Sequence, residues 1–142
     1  MWHHLTLLQY LDTANGKSLS GIFTGLQEMP GGSARGQGFD KDFQTMYERF
    51  FSKTSADEFK DACLKMGAAI KDGKADVTAV FSYAPRFPIC ITFWEADDEF
   101  PASGKTLVDK NAYNYLEVEA AGGACASVVM RIDEELKKTM QA

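Results

Sequence analysis

The chain has 142 residues, 45% of them hydrophobic and 25% charged, with a formal net charge of −5. This size and balance exclude a disordered polymer and suit a single domain, residues 1–142, that can bury a core without disulfide staples. Lys and Arg scattered singly on an acidic chain argue against nucleic-acid binding, and no apolar run nears the roughly 20 residues of a membrane helix.

At the start, M-W-H-H-L-T-L-L-Q-Y-L has neither a basic segment nor a small-residue cleavage site, so no signal peptide is expected. Leu5, Leu8, Leu11 and Ala14 recur at helical spacing before Asn15-Gly16, which predicts a helix over Leu5–Ala14. Ser20–Met29 is rich in β-formers and reads as a short strand. P-G-G-S-A-R-G-Q-G (Pro30–Gly38) reads as a loop. After it, Phe39, Phe43, Met46, Tyr47, Phe50 and Phe51 line one helical face. Asp40 and Asp42 are expected in the first turn, where they complement the helix dipole and repel phosphate. The G-x-x-x-x-G-K-[ST] pattern of a phosphate loop is missing.

Ser55-Ala-Asp-Glu58 is a capping box opening a helix with Phe59, Cys63 and Met66 inward and Gly67 at its end. Asp72-Gly73 marks a turn. Val77–Tyr83 and Pro88–Trp94 are near-continuous apolar runs, as in strands covered on both faces. The connection between them is A-P-R-F-P. Lys105–Asp109 reads as an extended piece and Asn111–Leu116 as a helical turn. A long helix follows over about Val118–Met140, with Val118, Ala121, Cys125, Val128, Val129, Ile132 and Leu136 on one face. Gly122-Gly123 lowers helix propensity there by about 1 kcal/mol per residue and so implies close packing against another element. This order predicts an α+β fold: a small mixed or antiparallel sheet with helices packed on it, closed by a long C-terminal helix.

Cys63, Cys90 and Cys125 are widely spaced, with no C-x-x-C and no Cys/His pairing, so they read as buried apolar side chains rather than metal ligands. An odd count without a secretion signal fits the cytoplasm.

L-L-Q-Y-L, S-L-S-G, E-M-P-G-G, A-P-R-F-P, W-E-A-D-D-E-F-P-A and L-V-D-K-N-A-Y-N-Y-L together carry a resemblance. In this order, from Leu7 to about Glu119, the chain resembles an uncharacterised prokaryotic family known as domain of unknown function 3786. Two departures stand out. The family's usual N-terminal portion is lacking, and Gln9 stands where the family is expected to have His. Family members occur largely in anaerobes, and some carry an iron–sulfur domain like that of corrinoid iron–sulfur proteins. The resemblance therefore implies an accessory role near corrinoid or iron–sulfur cofactor metabolism, with a partner protein from that chemistry. It supplies no catalytic residues.

The most chemical stretch is W-E-A-D-D-E-F-P-A-S (Trp94–Ser103), with four carboxylates in five positions. Hard cations need several oxygens converging on one point, whereas successive side chains of an extended segment point to opposite sides. No metal site is expected. Arg86 suits an anionic ligand, and a wide A-P-R-F-P crossover would let it reach these carboxylates, whereas a hairpin would hold it at the other end. Arg86, Trp94, Asp98, Glu99 and Phe100 are accordingly the ligand-binding candidates. His3 and His4 lack a third ligand, Asp12 and Asp109 suit caps, and no Ser/His/Asp or Cys/His constellation is legible. The leading reading is a non-catalytic accessory or ligand-binding domain. Alternatives are a small enzyme using Arg86 with Asp98 or Glu99 on an anionic substrate, and a homodimer or larger homo-oligomer covering exposed helix and strand edges.

Overall fold

The computed structural model describes residues 22–26, 32–84, 87–109 and 118–141. The expected helix Leu5–Ala14, the positions His3, His4, Gln9, Asp12 and Arg86, and the turn Asn111–Leu116 lie outside the described residues. Within them the chain runs β1 (Phe23–Thr24), α1 (Gly32–Phe51), α2 (Ala56–Lys65), β2 (Ala69–Ile70), β3 (Val77–Ala84), β4 (Phe87–Trp94), β5 (Ser103–Asp109) and α3 (Val118–Gln141). The strands form one antiparallel sheet in the order β1-β5-β4-β3-β2. This is the α+β architecture the patterns predict. Strands β2 to β5 follow one another as a meander, and Asp72-Gly73 lies in the β2–β3 link.

Register divides the sheet into two faces. Val77, Ala79 and Phe81 align across the ladder with Phe93, Ile91 and Ile89, and these with Gly104, Thr106 and Val108. Apart from half-buried Gly104 these residues are buried, and α1 and α2 pack on this face. On the other face Thr78, Val80, Pro88, Thr92 and Leu107 are half-buried, while Ser82 and Lys105 are exposed. The expectation of strands covered on both faces is therefore corrected to one packed face and one partly covered face. Half-buried Val80, Pro88 and Trp94 prolong the apolar run without entering the core, because antiparallel strands alternate between a packed and a wetter face. Cys90 and Asp109 are exceptions, buried although they stand on the wetter face.

An aromatic cluster joins helices to sheet. Phe59 stacks on Phe93 with ring centroids 4.2 Å apart, and Phe51 meets both edge-on at 5.1 and 6.0 Å. Each such pair contributes about 0.5–1.5 kcal/mol beyond its buried area.

Helix α1 begins at Gly32, so the segment expected to be a loop is mostly helix. Gly36 and Gly38 inside it each cost about 1 kcal/mol relative to Ala. Once Phe43, Tyr47 and Phe51 anchor the helix in the core, however, each added residue gains a hydrogen bond without a new nucleation step. Asp40 and Asp42 consequently sit inside the helix, not in its first turn. Helix α2 opens on the expected capping box: Ser55 Oγ accepts from the Glu58 N–H and Glu58 Oε1 from the Ser55 N–H, both at 3.1 Å. Gly67, at φ +87°, takes the left-handed turn that ends the helix. In α3 the expected inward face is buried from Ala121 to Leu136, and a Cβ on Gly122 would meet the Phe39 ring. The close packing inferred from the glycines is thus packing on α1. β1 is shorter than expected, and Leu26 beyond it is fully buried.

Candidate functional site

The acidic segment is a folded turn whose carboxylates are used locally. Glu95 Oε2 accepts from the Ala56 N–H at 3.3 Å, at the first residue of α2, where the helix dipole favours negative charge. The Glu95 N–H donates to Asp76 Oδ2 at 2.8 Å, tying the end of β4 to the residue before β3. Asp97 Oδ1 accepts from the Glu99 and Phe100 N–H groups at 2.8 and 2.7 Å, and the Asp97 N–H donates to the Phe100 carbonyl at 2.9 Å. These bonds define a tight turn built on a short acidic side chain. Asp98 and Glu99 are exposed. Phe100 is 67% exposed, so it does not anchor the turn in the core. Trp94 is half-buried at the end of β4, opposite Ser103.

The β3–β4 hairpin closes with Ala84 opposite Phe87. Phe87 and Trp94 stand at opposite ends of β4, roughly 23 Å apart at about 3.3 Å per residue. Among the described residues, no group of three His, Cys, Asp or Glu side chains could hold a metal ion. None of Trp94, Asp98, Glu99 and Phe100 lines either of the two cavities described next.

One cavity, of about 240 Å³, lies where α2 ends against β3 and α3, between Met66, Tyr83, Ser127 and Arg131. The other, of about 330 Å³, lies between α1 and β5. Ligand pockets start near 300 Å³, which favours the second. Its walls are Asp40, Phe43 and Gln44 from α1, Gly104–Leu107 from β5, and Gly25.

Local structure sets each of these groups. Asp40 and Gln44 are four residues apart on α1 and therefore share a face. Gln44 Nε2 donates to Glu48 Oε1 at 2.9 Å and to the Ala102 carbonyl at 3.4 Å. Gly104 lets the Tyr47 ring lie against β5, since a Cβ there would meet that ring and the Thr92 carbonyl. The Tyr47 hydroxyl donates to the Lys105 carbonyl at 3.4 Å, and burial raises its pKa. The neighbouring Thr106 hydroxyl works against that rise, yet Thr106 Oγ1, buried within a residue only 2% exposed, reaches hydrogen-bond geometry with no described residue.

The edge of β5 at this cavity is also open. β1 pairs with β5 only at Asp109 and Val108, so among the described residues Ser103–Leu107 has a strand neighbour on one side alone. On the rim, partial burial raises the Asp40 pKa and the Lys105 ammonium lowers it. Among the described residues the two form no direct ion pair.

Residues 1–131 match the domain of unknown function (DUF3786). The chain belongs to this family. No curated protein and no solved structure matches it. In this DUF3786 domain no described helix is long and apolar enough to cross a membrane. The cavity residues form no sequence motif. Asp40 and Gln44 look like ordinary solvated helix positions, and Lys105-Thr106 like an alternating strand. The one signal for them was the glycine at 104, which breaks the β-forming run next to the cavity.

Proposed function

We propose that this domain is a non-catalytic accessory domain that binds a small polar molecule in the cavity between α1 and β5, acting in the cytoplasm. The observation that carries this reading is the Thr106 hydroxyl, buried in the cavity wall without a hydrogen-bond partner among the described residues. A buried hydroxyl without a partner costs about 1–3 kcal/mol, and a ligand that bonds to it removes that cost. Lys105, Asp40 and Gln44 supply polar groups that orient a ligand in a pocket of mixed polar and apolar lining. A corrin macrocycle is far larger than 330 Å³. A role near corrinoid or iron–sulfur chemistry would therefore run through contact with a partner protein, and it is supported by the family resemblance alone. The same holds for pairing with a second copy, which sedimentation at micromolar concentration tests.

The test of the cavity is saturation-transfer NMR on the full chain with a panel of sugars, carboxylates, amines, amino acids and nucleosides. The same panel is run on Gln44→Trp, whose indole fills the cavity. Binding of some panel member that Gln44→Trp abolishes is the expected result. A panel without any signal sensitive to Gln44→Trp overturns the reading.

A further inference from the structure

We infer that the ligand of the α1–β5 cavity is a free α-amino acid, bound as its zwitterion along the open edge of β5. The inference rests on the cavity reading above and deepens it.

Three independent features converge on this class. The first is charge. Asp40 and Lys105 line one cavity from two elements, close enough to influence each other yet without an ion pair between them among the described residues. Two opposite charges held apart across a small space are complementary to a ligand carrying both charges a few ångströms apart. Its carboxylate meets the Lys105 ammonium and its ammonium meets the Asp40 carboxylate. A singly charged ligand leaves one of the two unanswered. The second feature is the strand edge. Among the described residues Ser103–Leu107 has no strand on its outer side, and β1 stops just short of it. An amino acid offers the N–H and carboxyl-oxygen groups that a continuing strand would offer, so it extends the ladder by about one residue. The third is Thr106, a residue of the cavity wall whose buried hydroxyl reaches hydrogen-bond geometry with no described residue and can donate to a carboxylate oxygen brought against it.

Size agrees with charge. At about 330 Å³ the cavity is at the low end of ligand pockets, suited to one amino acid rather than a folded peptide. Phe43 and Leu107 give the site an apolar wall for a small side chain.

The experiment is calorimetry on the full chain with L-alanine, glycine and L-glutamine, against propionate and propylamine, which each keep one charge. Amino acids are expected to bind at least about tenfold more tightly than either singly charged analogue. Lys105→Met and Asp40→Asn, both at exposed rim positions, should each weaken alanine binding about tenfold without altering the fold seen by circular dichroism. Thr106→Val should weaken it by a smaller factor. Propionate or propylamine binding as tightly as alanine overturns the zwitterion. So does a Gln44→Trp-sensitive signal from sugars or nucleosides with none from amino acids, an outcome that leaves the cavity reading standing. No Gln44→Trp-sensitive binding by any compound overturns both.

Discussion

Thr106 shows how a single side chain can oppose stability while lining a cavity. It stands on the packed face of β5, level with Ile91, where a β-branched apolar residue would satisfy every local demand. Its methyl group does so, and its hydroxyl does not. Thr106→Val keeps the shape and removes the orphaned oxygen, so the unliganded protein should gain about 1 kcal/mol. Urea unfolding checks this: a higher midpoint at unchanged slope is expected, and a lower midpoint would mean the hydroxyl is partnered after all. Nothing in L-V-D or G-K-T announces this residue. A missing hydrogen bond is a property of what the fold brings near, and the fold brings Asp40 and Gln44 to Thr106 across more than sixty positions of chain. The acidic run shows the converse. Carboxylates crowded in sequence look like a site, whereas Glu95 and Asp97 are engaged by backbone N–H groups and Asp98 and Glu99 face water.

At the scale of elements, local codes are legible and tertiary ones are not. The Ser55–Glu58 capping box is complete within four residues, so the start of α2 can be read directly. The aromatic period of α1 and the β-rich runs of β3 and β4 are equally plain. The first turns of α1 are not, because glycine propensity argues for a loop while the packed end of the helix draws the segment into register. β2 is two residues long and has no pattern to detect. Glycine at two helical positions gives a paired test. A Cβ at Gly38 meets nothing within 4 Å, so Gly38→Ala should stabilise the protein by about 1 kcal/mol through helix propensity. At Gly122 the Cβ would displace the Phe39 ring, itself stacked on Phe43 at 6.2 Å. Overpacking costs about 1–3 kcal/mol and outweighs the propensity gain, so Gly122→Ala should destabilise. Thermal unfolding of the two variants should move in opposite directions, and a shared direction would sink the packing argument.

For the whole molecule, burial of ionisable groups sets the alkaline limit. Cys63, Cys90 and Cys125 are all buried, as their isolation in sequence suggests, and burial raises each thiol pKa. Cys63 is pushed up to about 12 from 9.0. Between these values the folded chain keeps a proton that the unfolded chain has lost, so stability falls as pH rises. The contribution is intact below pH 9 and gone by about pH 12. Burial also raises the Tyr47 phenol, which extends the decline further. At about pH 10 the Cys63 thiol alone should account for roughly 1 kcal/mol. Urea midpoints measured from pH 8 upward should therefore fall, and Cys63→Ala, though less stable at neutral pH for its cavity, should fall less steeply. Equal slopes for the two proteins would remove Cys63 from the account.

The division of the sheet into a packed and a wetter face has a consequence for how this family can vary. Along β4, Ile89, Ile91 and Phe93 are each enclosed by helices, while Pro88, Thr92 and Trp94 are partly open to water. Acceptance of new residues should therefore rise and fall with every step along the strand, a two-beat rhythm of constraint and drift among relatives. Cys90 breaks the beat, since it is enclosed where its neighbours on that face are not. Relatives should keep a small, oxidisable or apolar side chain there long after Thr92 beside it has changed freely.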